Sequence, residues 1–240
     1  MNLSILRTGL RNFISSYPSV YFSIARPSND PRLINSETEI VIEGFPRCGN
    51  SFAEAAFRVA QAKEVQIAHH SHASAQIIRA HRQGVPCIVV FRPPENAVTS
   101  LLHKYPSHTT TIRQTINQYI RFYQDILPYK ESYILASFES VTNDYGIVID
   151  LLNNKFNSQF SRFEHTEKNV ERAFELVDQL TLERTGNAAT DYSPSQSSSD
   201  ELVSRREILE QIKHDVKTLE KTRLNEANQV YEKLVENQDC

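Results

Sequence analysis

A glycine-containing loop in the first quarter of the chain has the residue types and spacing that suit phosphate binding. It runs Gly44-Phe-Pro-Arg-Cys-Gly49-Asn50-Ser51, between a hydrophobic stretch expected to be a strand and an alanine-rich stretch expected to be a helix. A tight glycine loop points backbone N–H groups inward, and the N-terminus of the next helix adds a partial positive charge. The sequence therefore predicts an anion site here, with an ordinary strand–turn–helix connection as the alternative.

The spacing of this loop is that of the P-loop, G-x-x-x-x-G-K-[ST], except that Asn50 stands where the lysine would be. In nucleoside triphosphatases that lysine reaches the β- and γ-phosphates. The only cation in the present loop is Arg47, three residues before Asn50. The loop is therefore suited to phosphate but poorly built for Mg-ATP, which disfavours a P-loop kinase acting on a small molecule.

A second candidate phosphate site follows the third hydrophobic strand of the sequence. Arg92 comes directly after Cys87-Ile-Val-Val-Phe91, and Ser100 lies eight residues further on, in a helix that a double proline opens. An arginine that leaves a strand end can hold a phosphate with two hydrogen bonds, and a serine two turns into the helix can face the same anion. The strand, the proline and the loop upstream make this pattern specific, where an isolated arginine and serine would indicate little.

Three histidines follow the second expected strand, in the run His69-His70-Ser71-His72. Histidine suits a general base because it titrates near neutral pH. His70 and His72 alternate on one face of an extended segment and could instead bind a metal, although no adjacent Cys or Asp completes such a site. Satisfied structural histidines are the third interpretation, and a surface or packing role is expected for His69.

Strands alternate with helices over residues 38–155, which predicts an α/β fold of three layers, a parallel sheet with helices on both faces. The length of 240 residues fits one domain, 1–240. A long C-terminal helix is expected to pack on this domain or to join two copies in a homodimer. Within the domain we expect a leader with an amphipathic helix (1–36), a nucleotide-binding core (38–155), a flexible serine-rich loop (185–200) and the C-terminal helix (201–236).

Composition limits the classes of partner and compartment. The formal net charge of −3 argues against a general affinity for nucleic acid. Three cysteines are too few for a disulfide framework, so a cytoplasmic setting is expected. No apolar run approaches the roughly 18 residues of a transmembrane span. Packing of the leader helix on the domain is favoured over a weak contact with a membrane surface.

The glycine loop and the arginine segment together resemble those of sulfotransferases that use 3′-phosphoadenosine 5′-phosphosulfate (PAPS). The phosphosulfate loop of that family reads Pro-Lys-Ser/Ala-Gly-Thr-Thr/Ser-Trp. Arg47 stands at the position of its lysine, and Phe52 at that of the tryptophan that stacks near adenine. The gap from Arg92 to Ser100 equals that of the family's 3′-phosphate motif. The resemblance covers about residues 38–155, and the three matching loop residues are Pro46, Gly49 and Ser51.

The resemblance implies a P-loop NTPase-like sulfotransferase fold and an enzyme that moves a sulfuryl group from PAPS to a hydroxyl or amine. The acceptor, a small molecule, glycan or lipid, is not identified, and no metal is needed. His72 aligns with the family's base and His70 with the lysine before it, although the run of histidines leaves a slip of two residues open. A nucleotide-binding module without catalytic activity is the remaining alternative. The family's later Arg-Lys-Gly element has only a poor substitute, at residues 184–186.

The resemblance also implies a set of nucleotide contacts. Backbone N–H groups of Cys48, Gly49, Asn50 and Ser51, with the last two side chains, would hold the 5′-phosphosulfate. Arg47 would act at the bridging oxygen in the role of the family's lysine. The remaining contacts are Arg92 and Ser100 on the 3′-phosphate and Phe52 on adenine.

Overall fold

The computed structural model describes residues 14–24, 30, 32–105, 111–186 and 199–236. Most of the predicted leader helix and of the serine-rich loop lies outside these ranges. Within them, strands and helices alternate as the sequence predicts, and a 3₁₀ segment, Leu127–Ser132, precedes the last strand. The elements are α1 (Pro18–Ile24), β1 (Ile40–Gly44), α2 (Asn50–Ala60), β2 (Ile67–His69), α3 (Ser74–Gln83), β3 (Cys87–Phe91), α4 (Pro94–Lys104), α5 (Ile112–Ile126), β4 (Ile134–Ser137), α6 (Phe138–Asn143), α7 (Tyr145–Phe156), α8 (Glu167–Thr185), α9 (Ser199–Leu219) and α10 (Lys221–Val235).

The four strands form one parallel sheet in the order β2-β1-β3-β4, which confirms the predicted α/β class with a parallel sheet. Val41 pairs with Cys87, and Ile88 pairs with Ile134. Every residue of β1 and β3 is buried. Strands buried on both faces read as continuous hydrophobic runs, and the sequences of β1 and β3 have this character.

The strand order also places the crossover helices on opposite faces of the sheet. The chain moves from β1 outward to β2 and then returns across β1 to β3. Because such crossovers are right-handed, α2 and α3 must cover opposite faces. Ligands of open α/β sheets bind outside the carboxyl ends of the strands where the order reverses, here β1 and β3. The glycine loop and Arg92 follow these two strand ends.

The C-terminal region differs from the single long helix predicted for 201–236. It forms two helices, α9 and α10, which are separated at Glu220. The break has a packing reason, because α9 lies mainly against α4 and α10 lies mainly against α5. Both helices pack on the domain, which was one of the two predicted alternatives, and Val216 of α9 and Leu224 of α10 are buried there; the homodimer stays a prediction. None of the helices within the described ranges has both the length and the apolar character to cross a membrane.

The last residue of β1 is a glycine because the neighbouring strand leaves no room for a side chain. A Cβ atom on Gly44 would lie 2.2 Å from the carbonyl oxygen of Val90 and 2.7 Å from Oδ1 of Asn50. Backbone in a central strand cannot move aside without breaking the β1–β3 pairing. The first glycine of the loop is therefore set by close contact in the sheet.

Replacing Gly44 with alanine should destabilise the fold strongly. We expect Gly44→Ala to lower the free energy of unfolding by about 3 kcal/mol, because the added methyl group overpacks a rigid site. Gly84→Ala is the matched control, since a Cβ there meets no atom within 4 Å and the cost comes only from its φ of +67°. We expect about 1 kcal/mol for the control. Equal losses of the two variants in urea unfolding would contradict the close-contact explanation.

Candidate functional site

The glycine loop enters α2 through two residues with left-handed backbone. Arg47 has a φ of +70° and Gly49 a φ of +100°, the latter directly before the helix starts at Asn50. The Asn50 side chain is buried and its Nδ2 donates to the carbonyl oxygen of Phe45 at 2.9 Å, so it closes the loop internally. Asn50 therefore presents its backbone N–H at the helix N-terminus, while its side-chain amide is hydrogen-bonded to Phe45 within the loop.

The Cys48 side chain points away from the expected nucleotide and into the core. Its thiol is buried and lies 3.5 Å from the hydroxyl of Tyr123. Burial raises the pKa of Cys48 to about 12, so the thiol stays protonated. The Cys48 backbone N–H remains the group that could contact an anion, while its protonated sulfur lies in the core beside Tyr123.

Two arginine side chains meet at the carboxyl ends of β1 and β3. Nε of Arg47 donates to Oγ of Ser100 at 3.1 Å, and Nη1 of Arg92 donates to the Arg47 carbonyl oxygen at 3.4 Å. The guanidinium of Arg92 lies 4.1 Å from the ring centre of Phe138. The structure thus brings together Arg47, Arg92 and Ser100, which the sequence assigned to two separate phosphate motifs.

Arg92 is a poorly compensated cation. Its Nε is buried and has no hydrogen-bond partner among the described residues, although the negative charge of Glu139 lies near enough to act on the guanidinium. Burial lowers the pKa of Arg92, the negative charge of Glu139 opposes this shift, and the nearby charge of Arg47 adds to it. A half-buried cation with little compensation is costly, and a bound anion would reduce that cost. The local electrostatics therefore favour an anionic ligand here.

The histidine run is held in place by a buried carboxylate at the end of β1. Backbone N–H groups of Ser71 and His72 donate to Glu43 at 2.7 and 3.1 Å, and Glu43 is fully buried. Nδ1 of His72 lies 2.8 Å from the Gly44 carbonyl oxygen. A carbonyl only accepts, so Nδ1 carries the proton and Nε2 carries the lone pair. This tautomer is the one in which His72 can take a proton through Nε2.

His70 faces a different set of groups. Its Nε2 lies 3.0 Å from Oγ of Ser51, and its Nδ1 lies 3.1 Å from Oε2 of Glu54. Nδ1 of His69 approaches the same oxygen at 3.0 Å. Burial lowers the pKa of His70 to about 4, against the opposing effect of Glu54. Burial alone would raise the pKa of Glu54, but its contacts with His69 and His70 hold it well below the usual range.

Glu43 and Glu54 are the site residues that the sequence analysis missed. Each is an isolated carboxylate inside an otherwise apolar segment, in Ile-Val-Ile-Glu-Gly and in Phe-Ala-Glu-Ala-Ala-Phe. A buried charge in such a segment requires partners, and that requirement was the available signal. His69, expected at the surface or in packing, is buried beside Glu54.

The two remaining expectations concern Phe52 and residues 184–186. Phe52 is only 7% exposed and packs against Phe163 and Phe174, with ring centres 6.3 and 5.2 Å away. This aromatic cluster covers the ring that was expected to face adenine, and the adenine contact stays a prediction. Nη1 of Arg184 lies 3.5 Å from Oε2 of Glu54, so Arg184 reaches the histidine run.

The left-handed backbone of Arg47 yields a testable consequence for stability. A left-handed conformation costs a residue with a side chain about 1–2 kcal/mol, and glycine avoids this cost. We expect Arg47→Gly to have a free energy of unfolding about 1 kcal/mol higher than that of Arg47→Ala. The control pair is Glu175→Gly and Glu175→Ala, at an exposed position within α8, where the sign should reverse. Urea unfolding checks both pairs, and an Arg47→Gly variant less stable than Arg47→Ala would contradict the strained backbone.

Comparison with known proteins identifies no relative of this chain. No family model matches the sequence, and neither a curated protein nor a solved structure matches it. The function must therefore be argued from the residues and the geometry of the site.

Proposed function

We propose that the protein is a sulfotransferase that uses PAPS as its sulfuryl donor and has the P-loop-like sulfotransferase fold. The observation that carries the proposal is the meeting of Arg47, Arg92 and Ser100 beside the N-terminus of α2. Two guanidinium groups, a hydroxyl and a helix N-terminus form a site for a ligand with more than one anionic group. PAPS carries such groups at both its 5′ and its 3′ position.

The loop favours this donor over Mg-ATP. It lacks the lysine that spans the β- and γ-phosphates, and the residue in that place, Asn50, is turned into the loop. Arg92 and Ser100 follow β3, and they offer a second anion contact that suits a 3′-phosphate. ATP has no 3′-phosphate and would make no such contact with Arg92.

The proposed reaction assigns a role to each group. An acceptor hydroxyl or amine attacks the sulfur, and the bond between sulfur and the bridging phosphate oxygen breaks. Arg47 and the backbone N–H groups of residues 48–51 stabilise the charge that develops on the leaving phosphate. The proton of the acceptor passes to Nε2 of His72, and 3′,5′-adenosine bisphosphate leaves. None of these steps requires a metal ion, since positioning and electrostatic stabilisation supply most of the catalysis.

The geometry supports His72 over His70 as the base. Both ring nitrogens of His70 lie within about 3 Å of protein groups, at Ser51 and at Glu54. The ring of His72 is oriented by the Gly44 carbonyl, which fixes Nε2 as the accepting nitrogen. A base needs a defined tautomer and a partner that orients its ring, and His72 has both.

Calorimetry in magnesium-free buffer tests the donor site. We expect 3′,5′-adenosine bisphosphate to bind well and ATP to bind poorly.

The same measurement tests the contact of Arg92 with the 3′-phosphate. Arg92→Ala should weaken binding of the bisphosphate by about 2–4 kcal/mol, the cost of losing a charge-assisted contact at a desolvated site, and should affect 5′-AMP far less. Arg113→Ala, which removes an arginine with a 64% exposed side chain paired to Glu220, is the control and should change neither affinity.

Two results would contradict the proposed donor. One is tight binding of Mg-ATP, measured in the same buffer with magnesium added, without any response to the bisphosphate, which would favour a kinase. The other is an equal loss of affinity for the bisphosphate and for 5′-AMP in Arg92→Ala, since Arg92 would then not contact the 3′-phosphate.

Kinetics of His72→Ala test the assignment of the base. We expect turnover, measured as label transferred from PAPS into acceptors of a cell extract, to fall by roughly 10²–10⁴-fold. Affinity for the bisphosphate should barely change, because the proposed role of His72 is toward the acceptor and not toward the nucleotide. His70→Ala should cost less. Near-normal transfer by His72→Ala together with loss of transfer in His70→Ala would move the base to His70.

A further inference from the structure

Three potential ligand atoms for a cation converge between α2 and the segment that follows β2. Oε2 of Glu54 lies 3.0 Å from Nδ1 of His69 and 3.1 Å from Nδ1 of His70, and the two Nδ1 atoms lie 2.9 Å apart. The three atoms thus form a nearly equilateral triangle. The Glu54 side chain is 1% exposed, and those of His69 and His70 are 9% and 15% exposed.

Hydrogen bonding within the protein does not account for this triangle. Oε2 of Glu54 is buried, and its contacts with His69, His70 and Arg184 are ion-pair contacts that do not reach hydrogen-bond geometry among the described residues. If both histidines carried their protons on Nδ1, the two N–H groups would face each other at 2.9 Å. If only one histidine carried a proton on Nδ1, that N–H could donate to Nδ1 of the other histidine, and Oε2 of Glu54 would still lack a donor. Buried polar atoms are rarely left in this state.

The groups behind the triangle resemble the outer contacts of metal ligands. With Nδ1 on a metal, the proton of His70 would lie on Nε2 and donate to Oγ of Ser51, 3.0 Å away. The second oxygen of Glu54 accepts from Nε of Arg58 at 3.1 Å. Metal-binding histidines almost always donate their other ring N–H in this way, and metal-binding carboxylates are hydrogen-bonded in turn. His70 also holds a left-handed backbone, with a φ of +54°, which places its ring here.

We propose that Glu54, His69 and His70 bind one divalent transition-metal ion, for which Zn²⁺ is the first probe. Ligand atoms about 3 Å apart can share an ion at the usual distances of about 2.0–2.2 Å. Two imidazoles and a carboxylate suit zinc and its first-row neighbours, and such a set leaves coordination positions for water. The ion would join α2 to the segment that carries His72. It has a positioning role, and no step of the proposed sulfuryl transfer passes through it.

Arg184 is the group that competes with the ion. Its Nη1 lies 3.5 Å from Oε2 of Glu54 and has no hydrogen-bond partner within the described part of the chain. A bound dication and this guanidinium would repel each other, so the Arg184 side chain must turn away when metal binds. Removing the charge of Arg184 should therefore strengthen metal binding.

Titration of the chelator-dialysed full chain tests the site. We expect one Zn²⁺ per chain by calorimetry, and one Co²⁺ per chain with a visible absorption spectrum. His69→Ala and Glu54→Gln should weaken binding by more than the 10–100-fold that is typical for loss of an outer contact. His72→Ala is the matched control from the same segment and should keep wild-type affinity, whereas Arg184→Gln should bind more tightly.

Failure of both the wild-type chain and Arg184→Gln to bind Zn²⁺ or Co²⁺ would overturn the proposal. Loss of metal in His72→Ala but not in His69→Ala would overturn it as well, and would indicate a site formed by His70 and His72. The Co²⁺ spectrum of the wild-type chain decides the question even if a variant fails to fold. Nucleotide binding, measured with Arg92→Ala, is a separate readout, so the metal site and the proposed donor can fail independently.

Discussion

The close approach of β1 and β3 at Gly44 is the constraint on which the site depends. The absence of a side chain there lets the strand end pass the Val90 carbonyl and lets the Asn50 side chain close the loop. The Gly44 carbonyl is also the group that orients His72. One backbone position thus fixes the geometry of the glycine loop and the tautomer of the candidate base.

The site stores backbone strain that its surroundings compensate. Of the four described residues other than glycine that have a positive φ, Arg47, His70 and His72 belong to the site, and Asn157 ends a helix. Glu43 receives two backbone N–H groups of the strained histidine segment, and Arg92 donates to the strained Arg47 carbonyl. Strain that clusters at one edge of a sheet is typical of functional sites, where neighbouring contacts hold a conformation that the isolated chain would avoid.

Much of the fold could be predicted from sequence because its signals are local. Buried parallel strands are continuous apolar runs, and the helices between them have clear periodicity, so the α/β class with a parallel sheet was predictable. The proximity of Arg92 and Ser100 to the glycine loop could also be predicted, since both belong to the segment that follows β3, while their contact with a phosphate stays a prediction. The break at Glu220 was not, because it arises from packing on two different helices, α4 and α5.

The parts of the site that escaped prediction depend on long-range contacts. Glu54 lies 15 residues before His69 in the sequence, and only the pairing of β1 with β2 brings α2 beside the histidines. Phe52 has an aromatic side chain of the kind that can stack on adenine, but Phe174 of α8 packs against its ring. Residue type and spacing indicate which groups can do chemistry, while tertiary packing decides which of them remain accessible.

The most direct measurement of the central claim is sulfuryl transfer itself. The wild-type chain is incubated with PAPS that carries labelled sulfate, in a cell extract that supplies acceptors. The account predicts labelled products together with an equal amount of 3′,5′-adenosine bisphosphate, and loss of both in Arg92→Ala. Tight binding of the bisphosphate without any transfer would indicate a nucleotide-binding module. Transfer that is unchanged in Arg92→Ala would contradict the assignment of the donor site.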